Sequence, residues 1–270
     1  MSVDLPADFA DWLALREPAD GAARRADLAD AVRRRLPDGP LTVHDLGSGT
    51  GSMARWLAPR LPGPQHWVLH DQDADLLTRA AATMPRAAAD GAPVTVATRR
   101  GDLTRLTVAD LADATLVTAS ALLDMLTAEE VDRLVAACAG RPTLLALSVT
   151  GRVAVTPADP LDAEIAAAFN DHQRRTVGGR TLLGPDAVDA AATAFARHGV
   201  DVDVQPSPWR LGGDRAALIA EWFTGWLGAA REQRPELVEA TREYAARRRA
   251  QLAAGELRVL VDHCDLLAGA

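Results

Sequence analysis

The apolar run from Leu41 to Leu46 breaks into Gly47-Ser48-Gly49-Thr50-Gly51 and restarts at once as a helix-like stretch, Ser52 to Leu61. No other part of the chain restricts its fold so tightly. A strand that ends in alternating glycines before a helix lets a ligand approach backbone N–H groups with no Cβ in the way. Two nucleotide-binding patterns compete for the segment. The dinucleotide fingerprint needs G-x-G-x-x-G, but here the third glycine comes one position early and Ser52 holds the expected place. The phosphate-binding loop G-x-x-x-x-G-K-S/T needs a lysine, and all 29 basic residues of the chain are arginines. The same absence removes Schiff-base lysine chemistry.

The alternation continues along the chain. Trp67 to His70 ends in Asp71 and precedes a helical stretch, Ala74 to Met84. Val94 to Thr98 leads into Arg99-Arg100-Gly101-Asp102, Thr115 to Ser120 precedes the amphipathic Ala128 to Ala139, and Thr143 to Val149 is a fifth strand-like run. Short buried strands separated by helices imply right-handed crossovers and a parallel sheet covered on both faces. Ahead of this core, residues 5–16 and 21–36 read as two helices broken at Glu17-Pro18-Ala19-Asp20-Gly21. Behind it, residues 160–175, 185–198, 214–230 and 235–253 read as helices, with Gly178-Gly179 as an interruption. Val200 to Val204 and Leu257 to Val261 read as a late strand pair that can close the sheet with an antiparallel edge.

Composition narrows the function. The net charge is −8 at pH 7, whereas a nucleic-acid binder draws most of its affinity from a basic excess. The clusters Arg33-Arg34-Arg35 and Arg247-Arg248-Arg249 lie in alanine-rich helical contexts interleaved with acids and read as solvated faces. Cys138 and Cys264 are far apart in the chain, with no CxxC, so no zinc site or oxidising compartment is implied. No basic leader and no membrane-length apolar run is present, so the expectation is a cytoplasmic protein without a membrane partner.

With these motifs in order, the sequence resembles the class I S-adenosylmethionine (SAM)-dependent methyltransferase family. The first family motif is matched by Asp45-Leu46-Gly47-Ser48-Gly49-Thr50-Gly51. The acidic end of the second strand is matched by Asp71 in His70-Asp71-Gln72-Asp73, the acid after the third by Gly101-Asp102-Leu103, and the end of the fourth by Ser120 through Asp124. The resemblance implies a Rossmann-like, doubly wound α/β fold. Its mostly parallel seven-stranded sheet would have an antiparallel last strand, an N-terminal helical cap and a late helical insertion. One domain is then expected, with a cap over residues 1–38, a SAM-binding half over 39–150 and an acceptor-side half over 151–270.

The family pattern also assigns roles. Gly47 and Gly49 let the turn lie against the methionine part of SAM, with Ser48 between them, and Asp45 supports that loop or reaches the ammonium. Asp71 accepts the ribose hydroxyls beside Gln72, Asp102 accepts from the adenine amino group, and Leu103 faces the ring edge. Ser120 offers its backbone carbonyl to the ammonium. Each residue also has a structural alternative: a tight turn for the glycines, a helix cap for Asp71, a turn for Asp102.

The acceptor side is less legible. The amino-methylating branch of the family carries Asn/Asp-Pro-Pro-aromatic after the fourth strand, where this chain has Ser120-Ala121-Leu122-Leu123, so that branch is disfavoured. Pro206-Ser207-Pro208-Trp209 resembles the motif but follows a late strand. Trp209, Trp222 and Trp226 read first as core and second as lining of an apolar pocket. Trp12 and Arg16 could fold over SAM as a lid, or Arg16 could pair with Glu17 or Asp20. For a general base the candidates are Asp124 and His172, the latter within Asn170-Asp171-His172-Gln173. His44, His66, His70 and His263 have no metal-ligand spacing. The expected reaction is methyl transfer to an O, N or C atom of a small molecule. An NAD(P)-dependent oxidoreductase and a non-catalytic SAM-binding scaffold are the rivals.

Overall fold

The apolar runs become strands, and each glycine or proline cluster between them becomes a connection. In the computed structural model, which describes residues 9–269, strands β1 (Leu41–Leu46), β2 (Gln65–Asp71), β3 (Val94–Arg100), β4 (Leu116–Ser120) and β5 (Thr143–Thr156) are parallel to one another. Three more strands follow: β8 (Val202–Pro206), β9 (Trp209–Leu211) and β10 (Arg258–Ala268). The sheet order is β3-β2-β1-β4-β5-β10-β8, and β9 also pairs with β10. The sheet has eight strands in seven places. β8 and β9 lie end to end along β10, and the interruption falls at Ser207-Pro208, since Pro208 has no N–H to give a ladder. β10 runs antiparallel to both its neighbours, as the family pattern implies. A separate hairpin joins β6 (Thr176–Val177) to β7 (Arg180–Thr181).

Helices cover both faces. α2 (Ala26–Arg35), α3 (Ser52–Leu57) and α4 (Ala74–Ala82) pack on the face that carries Leu41, Val43 and Trp67. α5 (Ala128–Cys138) and α7 (Ala187–Arg197) pack on the face that carries Leu46, Val117 and Ala119. The period-2 alternation of β1, with Val43 on one side and Leu46 on the other, divides these two cores. A third core joins α1 (Phe9–Ala23), α6 (Asp162–Gln173), α8 (Ala216–Gln233) and α10 (Arg242–Ala253) around Trp209, Trp222, Phe223, Trp226 and Tyr244. Among the described residues no helix is long and apolar enough to cross a membrane.

The structure departs from the sequence reading at several joints. The break expected at Pro18 is absent: α1 continues through it to Ala23. The Arg16–Asp20 pair at 3.0 Å spans the proline turn, and tertiary packing of the helix outweighs the missing N–H. The first residues of the expected 5–16 helix, 5–8, lie outside the described residues. Strand β5 runs on to Thr156 rather than ending near Val149, because its second half pairs with the first half of β10, whose other edge carries β9, as a projecting arm. That half alternates in burial and carries Gly151 and Arg152, so it has no continuous apolar run to read. The 235–253 stretch is two helices, α9 (Leu237–Ala240) and α10. Arg248 is not on a solvated face: it is buried and held by both carboxylate oxygens of Asp162, at 2.6 and 2.7 Å.

Candidate active site

A single cavity of about 560 Å³ runs along the carboxyl ends of β1, β2 and β4, beneath α1, and on to the β5–β10 arm. Open α/β sheets place ligands at this edge, since the crossovers part there. The glycine turn is shaped by its own backbone. Gly47, Gly49 and Gly51 have φ of 65°, 51° and 85°, a region that side chains with a Cβ seldom enter. A Cβ on Gly49 would sit 3.1 Å from Cδ1 of Leu13 on the overlying helix. Leu13 and the turn thus approach as closely as glycine permits.

Asp71 closes the turn from β2. Its Oδ2 accepts from Gly49 N–H at 2.9 Å, and its Oδ1 accepts from Asp73 N–H at 3.0 Å. The helix cap falls to Asp73, whose side chain accepts from the Asp75 and Leu76 N–H groups. Asp71 is thereby held at the cavity with a second lone pair on each oxygen still available. Gln72 lines the cavity next to it.

Asp45 stands in the floor of the site, 1% exposed. The register sets it opposite Thr118 of β4, whose hydroxyl donates to Oδ1 at 2.7 Å. Oδ2 is buried without a partner. Burial pushes the carboxyl up to about 7, against the opposing pull of the Thr118 hydrogen bond. Ser48 lines the cavity and has a buried hydroxyl without a partner.

Asp102 and Leu103 reach the cavity rim. Asp102 is exposed and caps the short turn after it, accepting at Oδ1 from Thr104 N–H at 3.0 Å and from the Thr104 hydroxyl at 2.7 Å. These bonds hold its carboxyl below the usual range. Leu103 points back toward the glycine turn, where its Cδ1 would lie 3.5 Å from a Cβ on Gly47.

Ser120 ends β4, and its hydroxyl accepts from Arg24 Nη2 at 3.0 Å. Sequence reasoning passed over Arg24. It follows α1, is 5% exposed, lines the cavity, and spans from Ser120 to the Ser52 hydroxyl at 3.1 Å. Its Nε is buried without a partner. No pattern in the sequence separates this arginine from the others; only the return of α1 over the sheet edge buries it.

Asp124 lies in the turn after β4 and lines the cavity. Desolvation raises its carboxyl to about 6. The neighbouring chain is bent to reach it: Ala121 has φ of 51°, a left-handed conformation that costs a non-glycine residue energy. His172 is a correction. It does not line the cavity, because α6 turns its imidazole toward α8, with Nε2 3.3 Å from Glu232 Oε2 and Nδ1 3.3 Å from Arg175. Burial and Arg175 lower its pKa. Asn170, on the same helix, donates to the Gly151 carbonyl at 2.8 Å.

The far end of the cavity is aromatic and aliphatic. Trp12, Phe169, Trp209 and Trp222 line it with Val153 and Val261 of the arm. Trp209 and Trp222 therefore belong to both the core and the cavity, while Trp226 is core alone. Arg16 pairs with Asp20, one of the two partners that the sequence offered, and lines the cavity. Gly178, at the tip of the β6–β7 hairpin, borders the opening, and Arg180 ties that hairpin to Glu130 at 2.6 Å.

Residues 43–141 match the family model described as a methyltransferase domain. No curated protein sequence matches the chain. Solved structures similar to it include the YcgJ protein of Bacillus subtilis, at 13% identity and a TM-score of 0.49, over 90% of this chain and 97% of that one. Another is a SAM-dependent methyltransferase from Geobacter sulfurreducens in complex with S-adenosyl-L-homocysteine, at 16% identity and a TM-score of 0.45, over 99% and 98% of the two chains. The matched stretch runs from within β1 to just past α5, the helix after β4, which is the half of the sheet that builds the glycine-turn end of the cavity. Over this stretch, then, the chain is similar to the methyltransferase-domain family.

Proposed function

We propose that this chain transfers the methyl group of SAM to an O, N or C atom of a small organic acceptor, and that the cavity divides into a cofactor end and an acceptor end. One observation carries the reading: the glycine turn and the aromatic wall border the same continuous space. The net charge of −8 and the division of the Arg247–Arg249 cluster between surface and core favour a metabolite over nucleic acid. In this reading the chain divides into a cap over 1–38, a SAM-binding half over 39–150 and an acceptor-side half over 151–270.

The cofactor end suits SAM on chemical grounds. Arg24 has an unpartnered buried Nε and a guanidinium already aimed at the β4 end, and it would pair with the methionine carboxylate. Ser120, whose hydroxyl that arginine holds, would offer its backbone carbonyl to the ammonium. The orphaned Oδ2 of Asp45 and hydroxyl of Ser48 are polar groups that a polar ligand would satisfy. Asp71 would accept the ribose hydroxyls beside Gln72, and Asp102 with Leu103 would meet the adenine. When bound, SAM supplies an electrophilic methyl on a sulfonium.

The chain's own part in the reaction is positioning, exclusion of water and proton removal. α1 lies over the cavity through Leu13 and is tied to α3 by Glu17 and Arg55, whose Nε donates to Oε1 at 2.7 Å. This fixes the cap against the glycine turn and dries the site. Asp124, with its carboxyl near 6, is mostly ionised at neutral pH and would take the acceptor's proton.

Titration calorimetry with SAM tests the assignment. Asp71→Ala should weaken binding by about 1.5–3 kcal/mol, and Gly49→Val should do at least as much by driving a side chain into Leu13. S-Adenosylhomocysteine should accumulate when the wild-type chain is given an acceptor. SAM affinity unchanged in both variants would remove the glycine turn from the cofactor site.

A further inference from the structure

The acceptor end of the cavity already contains a cation of the protein's own. The Cζ of Arg16 lies 5.0 Å from the ring centroid of Trp209 and 5.9 Å from that of Trp12. Asp20 holds the Nε and Nη2 of this guanidinium at 3.0–3.3 Å and also accepts from Trp209 Nε1 at 3.0 Å. The arginine is therefore fixed in orientation, and its Nη1 has no hydrogen-bond partner among the described residues. His263 also packs near Trp209, with ring centroids 5.3 Å apart. It is 4% exposed and lines the cavity. Its Nδ1 is buried, near the Val261 carbonyl but without a hydrogen bond of ordinary geometry.

Indoles arranged around an open space ordinarily welcome a cationic ligand. Here the guanidinium of Arg16, ion-paired with Asp20, already occupies that place, so a cationic acceptor finds the indole faces taken. A flat ring can lie along Val153, Phe169, Trp222 and Val261. An anionic group at its end would gain a charge-assisted hydrogen bond from the unpartnered edge of Arg16. His263 adds a neutral polar group beside the same wall. On the reading that this half of the cavity is the acceptor site, we propose that it selects a planar aromatic acceptor bearing a carboxylate, seated on Arg16, and rejects cationic ones.

Three molecules of nearly one shape separate the possibilities: para-hydroxybenzoate, para-hydroxybenzamide and para-hydroxybenzamidine, which are anionic, neutral and cationic. Their binding to the chain saturated with S-adenosylhomocysteine is measured by calorimetry. The benzoate should bind about tenfold or more tighter than the benzamidine, with the amide between them. Arg16→Met should abolish most of that preference, and Arg16→Lys should keep its direction. Affinity for S-adenosylhomocysteine serves as the check that each variant is folded. The proposal is overturned if the benzamidine binds as tightly as the benzoate, if folded Arg16→Met keeps the wild-type preference, or if none of the three binds. Failure of the wild type to bind S-adenosylhomocysteine would instead overturn the cofactor assignment, and the three probes would then be ranked on the apo protein by the same criteria.

Discussion

Nδ1 of His44 lies 2.9 Å from Nε2 of His70, across the adjacent strands β1 and β2. One imidazole must donate and the other accept, so at least one ring must stay neutral for the pair to hold, and protonation of both would set two donors face to face. His44 Nε2 lies 3.1 Å from Asp113 Oδ1 on its other side, but burial still lowers its pKa. For His70, burial first and His44 second bring the value down to about 4.

This pair makes stability depend on pH in a defined direction. In the unfolded chain each histidine titrates near ~6.5. With the folded value depressed, its contribution is complete above ~6.5 and is lost as pH falls toward about 4. Denaturant titrations should show a loss of roughly 2 kcal/mol from His70 between pH 7.5 and 4.5. His70→Gln keeps a donor and an acceptor for His44 without the proton uptake, so its slope across this interval should be shallower. Equal slopes in the two proteins would remove the pair as the cause.

Arg24 offers a prediction that separates the amino-acid end of the cofactor from its nucleoside. Arg24→Met should raise the Kd for SAM by about tenfold or more, the usual worth of a charge-assisted pair. Methylthioadenosine lacks the amino-acid moiety, so its affinity should change little. Equal losses for both ligands, read by calorimetry, would mean that Arg24 holds Ser52 and Ser120 in place and does not contact the cofactor.

Asp124 should reveal itself in the pH profile. With its carboxyl at about 6, kcat/KM should fall as pH drops through that value, because the base is ionised only above it. Asp124→Asn should lower kcat about 10²–10⁴-fold and remove the acid limb. Full turnover with the limb intact would leave acceleration to positioning alone.

The glycine-turn end of the cavity was legible in the sequence because it is local. Each of its residues follows directly on a strand that the apolar pattern shows, so chain order alone sets Asp45, Gly49, Asp71, Asp102 and Ser120 at one edge of the sheet. The aromatic end of the cavity is made of long-range contacts. Trp209 meets Asp20 across the fold, at 3.0 Å, and Arg24 becomes a buried guanidinium only because α1 and the turn after it fold back over the β4 end. The phase of α6 turns Phe169 to the cavity and His172 to Glu232, although both lie in one polar-flanked helix. The strand–turn–helix pattern thus determined the sheet, the glycine turn and its acids, since backbone geometry acts over a few residues. The tertiary structure alone decided which arginine is buried, which histidine lies away from the cavity and which tryptophans line it, since burial and side-chain direction depend on elements far apart in the chain.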